Sequence, residues 1–122
     1  MNRIAASALL NLIEQTGLDV ATLAEGLDEA DLRRSRLTRA ELLRQLRLMA
    51  SSAVAVPPSA REDMPELDWE GWRLLALRLQ AESGGDLDEA IWFAIHSVVP
   101  ATLLWLRVYR QNQPQLFVMA LG

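Results

Sequence analysis

The stretch PELDWEGWRLLALRLQAESGGDLDEAIW, Pro65 to Trp92, decides the fold. It runs proline, helix, turn, helix. Asp68 is placed to cap a helix from Trp69 to about Ser83, because a short side-chain oxygen can accept from the amides of a first turn. Gly84 and Gly85 end that helix, and Asp86 with Glu89 opens the next. The first helix is apolar nearly all round: Trp72, Leu74, Leu75, Leu77 and Leu79 are relieved only by Arg73, Arg78 and Gln80. A helix with no polar face is normally covered on both sides. In so short a chain the second cover is expected from another subunit, most commonly through a two-fold homodimer.

Working outward, helical spacing continues in both directions. The second helix of the pair places Leu87, Ala90, Ile91, Ala94, Ile95 and Val98 on one face, and Pro100 suits the first turn of a last helix reaching Arg110. Upstream, Thr38 followed three residues later by Glu41 predicts a capping box. The helix behind it carries Leu42, Leu46, Met49, Ala50, Ala53 and Val54, and "VPPS" ends it. Residues 18–36 predict one or two short helical turns. The N-terminal helix is expected to bury Ala5, Leu9, Leu12 and Ile13 and to stop at Gly17. Only the tail "LFVMAL" has the alternation a strand would need. The expected fold is therefore all-α: an up-down bundle of about five helices over residues 1–112, with an apolar tail at 113–122.

Composition narrows the function. The chain has 122 residues, 51% of them hydrophobic and 23% charged, with a net charge of −4. That balance fits one globular domain and disfavours a nucleic-acid binder acting through its overall field. There is no cysteine and one histidine, His96, so neither disulfides nor thiolate metal sites are available and no metal or cofactor is expected. These features predict a cytoplasmic protein. Ala90 to Leu106 is uncharged but shorter than the roughly 20 residues a membrane span needs. It contains His96 and Pro100, and reads as the end of one helix and the start of another.

The order and spacing of "RLTRAELLRQLRLMASSAVAVPPSAREDMPELDW", then Trp92 after twenty-two residues, then "VVPATL", resembles the HepT-like proteins of the HEPN superfamily. The likeness runs from about Leu32 to Leu106. Its landmarks are Leu37-Thr38, Pro65-Glu66-Leu67, Trp69, Asp86-Leu87, Trp92 and Pro100. The resemblance implies a helical homodimer that pairs with a minimal nucleotidyltransferase in toxin–antitoxin modules. It also implies an arginine, usually followed by a polar residue, and a histidine, which from two subunits form a metal-independent site for RNA cleavage, often with a tyrosine that accepts nucleotides from the partner enzyme. The physical logic is general acid–base chemistry at the ribose hydroxyl, with a cation on the phosphorane. Counted without gaps from Trp69, those positions fall on Ala76, Leu77, Ala81 and Ser83, none of which can do the family's chemistry. A shift of two residues would put Arg78 in the arginine's place, still with no histidine to follow.

What remains are fallback candidates. Arg73 or Arg78, with His96 or Glu82, would be needed for a rebuilt ribonuclease site. Trp69, Trp72 and Arg78 could line a nucleotide or small-ligand cleft, and Trp72, Trp92 and Phe93 could anchor a dimer. At these spacings the tryptophans, Trp105 included, are more often core or interface anchors. His96 is expected to be a solvated or capping residue, with Arg73 and Arg78 pairing with acids such as Glu82. Arg33, Arg34, Arg36, Arg39, Arg44 and Arg47 form the basic cluster; with no interleaved aromatics it predicts a solvated face, and RNA is the less favoured partner. The tail is expected to dock on a dimer mate or a protein partner. The preferred expectation is a catalytically degenerate, dimeric protein-binding module. The rivals are an active ribonuclease and a ligand sensor.

Overall fold

In a computed structural model, which describes residues 2–81 and 84–119, helices run in the order α1 (Asn2–Ala24), α2 (Glu29–Arg34), α3 (Arg36–Ala55), α4 (Pro58–Asp63), α5 (Trp69–Arg78), α6 (Gly85–Phe93) and α7 (Val99–Asn112). A π-helical turn, Ala94–Val98, joins α6 to α7, and a 3-10 turn, Pro114–Phe117, follows α7. The chain is an all-α bundle, and no strand occurs among the described residues. α1, α3 and α7 form its centre, with α5 against α3. The core runs through Leu10 and Ile13 of α1, Leu46 and Met49 of α3, Trp72 and Leu75 of α5, and Ile91 and Leu106 of the C-terminal helices.

α1 does not stop at Gly17. It continues for another two turns, to Ala24. The glycine is there for closeness: a Cβ at this position would lie 2.8 Å from Leu103 Cδ2 and 3.1 Å from Met49 Cε. Absence of a side chain lets α1 press against α3 and α7, and the helix-breaking tendency of one glycine, about 1 kcal/mol, is overridden by that packing. The buried stripe of α1 is also rotated from the expected one. Ala6, Leu10, Ile13 and Val20 face the core, whereas Ala5 and Leu12 are exposed.

The capping box sits earlier than Thr38 and Glu41. Asp28 accepts from the Asp31 amide at 2.7 Å, and the Asp28 amide donates to Asp31 Oδ2 at 3.2 Å, so α2 carries it. α3 starts at Arg36, and Glu41 turns instead to Arg44 and Gln45. At the other end, "VPP" behaves as expected: α3 ends at Ala55, and Pro57-Pro58 opens the short α4. Asp68 caps α5, accepting from the Gly71 amide at 2.8 Å. α5 stops at Arg78 rather than near Ser83. Gly84 serves the following helix, as its N-cap in the left-handed region at φ 110°.

The segment Ala90 to Leu106 is not a helix end and a helix start but the middle of one rod, Gly85 to Asn112. Pro100 lacks an amide hydrogen and would crowd the carbonyl of His96 in a regular α-helix. The backbone answers one turn earlier by widening: the Val99 amide donates to the Ala94 carbonyl, five residues back. The resulting 28-residue helix is long enough to cross a bilayer, with a window of mean hydropathy 1.5. Part of its apolarity has a cause inside the bundle, since Leu87, Ile91, Ile95, Val98 and Leu106 are buried, while Phe93 and Leu104 stand half-exposed.

The tail docks on its own chain. Phe117 is buried, Ser7 Oγ lies 2.8 Å from the Leu116 carbonyl, and Asn11 Nδ2 donates to the Phe117 carbonyl at 2.9 Å. Arg110 closes over the Phe117 ring at 4.2 Å. Residues 113–117, expected on a mate or partner, are covered within the single chain, where α1 and α7 supply both the apolar cover and the donors. Residues 120–122 lie outside the described residues.

Candidate functional site

The α5–α6 hairpin holds the positions onto which the sequence resemblance would map ribonuclease chemistry. Its arrangement follows from the backbone ends that must be satisfied. The carbonyls just past the end of α5 need partners from elsewhere. Arg47 of α3 supplies them, donating to the Leu79 carbonyl at 2.8 Å and the Ala81 carbonyl at 3.0 Å. One guanidinium from the basic cluster is thereby a fastening for the hairpin. Beside it lies a shallow depression of about 180 Å³ lined by Arg47, Ser51, Ala76, Leu79 and Gln80.

Ala76 is half-buried at the edge of that depression, Leu77 is 55% exposed, and Ala81 is exposed. Ser83 and Glu82 lie outside the described residues. The three described positions present methyl and isobutyl groups, which neither carry a proton nor hold a phosphate.

The described fallback candidates, Arg73, Arg78 and His96, do not converge within the single chain. Arg73 forms a two-pronged pair with Glu70 on its own helix, with Nε donating at 2.9 Å. The guanidinium holds the Glu70 carboxyl below the usual carboxylate range, and the carboxylate in turn raises the Arg73 value. Arg78 is exposed at the end of α5. His96 projects from the π turn on the C-terminal rod. Its ring stacks on Trp92 with centroids 3.9 Å apart, and Nδ1 lies 3.2 Å from the Trp92 carbonyl oxygen. It is exposed, as expected of a solvated histidine, and among the described residues it makes no hydrogen bond to an arginine.

The cleft expected between Trp69 and Trp72 is closed. Trp72 is 1% exposed and its Nε1 donates to Thr102 Oγ1 at 3.0 Å, while that hydroxyl donates to the Val98 carbonyl at 2.7 Å. Trp69 Nε1 donates to the Met64 carbonyl at 2.9 Å. The gap these rings share with Leu10, Ile13 and Leu106 has no room for a water molecule. Both indoles have their single donor satisfied and their bodies packed, which makes Trp72 a core residue and not a ligand or dimer contact. Trp92 is half-buried beneath His96. Phe93 is 49% exposed and, with Trp105, Glu66 and Asp68, lines a depression of about 150 Å³.

The basic cluster is largely neutralised where it stands. Arg33 pairs with Glu29, Arg34 with Asp31, Arg44 with Glu41 and Arg39 with Asp88 of α6. Donation from Arg44, and then from Gln45, brings the Glu41 carboxyl down to about 2. Four of six guanidiniums thus have a carboxylate and a fifth, Arg47, has two carbonyls. Little positive field is left to track a nucleic-acid backbone. Among the described residues, no group of three or more histidine, aspartate and glutamate side chains is placed to hold a metal ion.

Sequence reasoning missed one wide groove. A groove of about 580 Å³ runs between α1 and the C-terminal rod, its floor made by Leu18, Ala21, Ile95, Val99, Leu103 and Leu104. Glu14, Arg107 and Arg110 line it as well. Leu18 and Leu104 are half-exposed there, at 50% and 49%. The signal was present in α1 as the apolar pair Leu18 and Ala21 beyond Gly17, but only if the helix continues past the glycine.

No known protein family, curated protein or solved structure matches the chain.

Proposed function

We propose that this chain is a non-catalytic helical interaction protein: a HepT-like bundle that has kept the helical hairpin and lost the groups that would cut RNA. It works as a homodimer that presents a helical surface to a protein partner, and by its resemblance a nucleotidyltransferase-type partner is the first to test. One observation carries the reading. On the hairpin the reactive positions are filled by Ala76, Leu77 and Ala81, while Leu74, Leu77 and Phe93 stand 48%, 55% and 49% exposed. Large apolar side chains left in water on adjoining helices favour a protein contact. Covering each of the three gains about 1 kcal/mol, half of what full burial of such a side chain provides.

Sedimentation at micromolar concentration tests it, beside an RNA cleavage assay on the same sample. The expected result is a dimer without ribonuclease activity, shifted toward monomer by Leu77→Glu with Phe93→Glu. A monomer would remove the reading. So would RNA cleavage lost in Arg78→Ala or His96→Ala, which would show a site assembled between subunits.

A further inference from the structure

We infer that the groove between α1 and the C-terminal rod binds a single-chain amphiphile with an anionic head, of the chemical class of a fatty carboxylate. The inference is independent of the function proposed above, because the groove lies on α1 and α7, away from the α5 face.

The groove has one charged end and an apolar body. Glu14, Arg107 and Arg110 all fall at the same end, since Arg110 contacts Glu14 at 2.6 Å and Arg107 is one turn from Arg110. Arg110 is already committed: it donates to Glu14 and to Asn11 and covers Phe117. Arg107 is exposed and makes no hydrogen bond or ion pair among the described residues, so its guanidinium is available to a head group. The three charges at this end sum to +1 in a chain of net −4, a local balance that favours an anionic head. From that end to Ile95 the lining is aliphatic.

Ile95 to Arg110 spans about 22 Å at the helical rise, room to lay one extended alkyl chain along a groove of about 580 Å³. The volume also falls within the range of about 300–1,000 Å³ usual for small-molecule sites. Leu18 of α1 and Leu104 of α7, both half-exposed in the groove lining, would close over the chain.

Isothermal titration of the purified chain with monomeric dodecanoate tests the site, with dodecyltrimethylammonium as the charge-reversed probe and Arg33→Ala as a control variant on α2. One dodecanoate per chain is expected, with the ammonium at least about tenfold weaker. Arg107→Ala should weaken dodecanoate about tenfold, the loss of one exposed charge-assisted hydrogen bond, and Arg33→Ala should not change it. Ala21→Trp or Leu104→Gln, checked for unchanged helicity and melting, should abolish binding by filling or wetting the floor. The inference is overturned by no heat from dodecanoate, by equal binding of the ammonium, or by indifference to Arg107→Ala and Ala21→Trp. It is also overturned if the chain takes up only anionic vesicles and not the monomer, which would make the groove a membrane contact. Dissociation of a dimer by dodecanoate would show that a second copy fills the groove, and would overturn it too.

Discussion

The α5–α6 hairpin and the α1–α7 seam are built from similar material and end up with opposite capacities. In the hairpin the polar groups are consumed in holding the fold. Arg47 ties down the end of α5, Arg73 is closed on Glu70, and Trp72 gives its one donor to Thr102. The depression beside Ala76 is left with nothing to transfer. In the seam, one guanidinium secures the structure and its neighbour one turn away stands over an open aliphatic trough. Arg110 and Arg107 differ little as sequence. What separates them is whether a facing helix brings a carboxylate within reach.

Substitutions can break or sharpen that contrast. The largest effect is expected at the inner face of the hairpin. Trp72→Ala should lower unfolding free energy in urea by about 3–5 kcal/mol, as for other buried aromatic truncations, and should leave the Thr102 hydroxyl without its donor. A loss under about 1 kcal/mol would mean that the ring lines a usable cleft after all. Next comes the closed end of the seam. Phe117→Ala should cost about 3 kcal/mol, and Asn11→Ala about 1–2 kcal/mol by leaving the tail carbonyl and Arg110 under-satisfied. Values near zero for both would place the tail in solution.

On the outer face of the hairpin, Leu77→Glu with Phe93→Glu should change monomer stability by less than about 0.5 kcal/mol per site while weakening self-association, read by sedimentation. The smallest effect concerns the solvated arginine face. The Glu41 carboxyl lies at about 2 against an ordinary 4.5, so its folded value is depressed. Its contribution is present above pH 4.5 and is lost as pH falls toward 2. Glu41→Gln should therefore flatten the acid side of a melting-temperature profile in that window, and only slightly, because the pair is exposed.

Several features could be read directly along the chain because their causes are local. Asp68 caps α5 through its own next turn, and Pro57-Pro58 ends α3 through the backbone itself. The helical class follows from periodicity. What could not be read depends on what comes opposite. Gly17 looks like a terminator until Leu103 and Met49 are seen within van der Waals reach of its missing methyl. Pro100 looks like a boundary, yet a five-residue hydrogen bond before it carries the helix through. Trp72 looks like a candidate ligand contact on a helix apolar on every side, and only the position of Thr102 makes it core. The groove is the extreme case: its two walls are some eighty residues apart in sequence, and no window along the chain contains both.

The clasp between Ser7, Asn11 and the carbonyls of Leu116 and Phe117 joins groups 109 and 106 residues apart. Loop closure of that length is slow to achieve and comes last when a chain is made from its amino end. On a ribosome, α1 must wait with one side of its stripe uncovered until residues 116 and 117 have emerged. Any chaperone dependence should be traced first to that waiting helix.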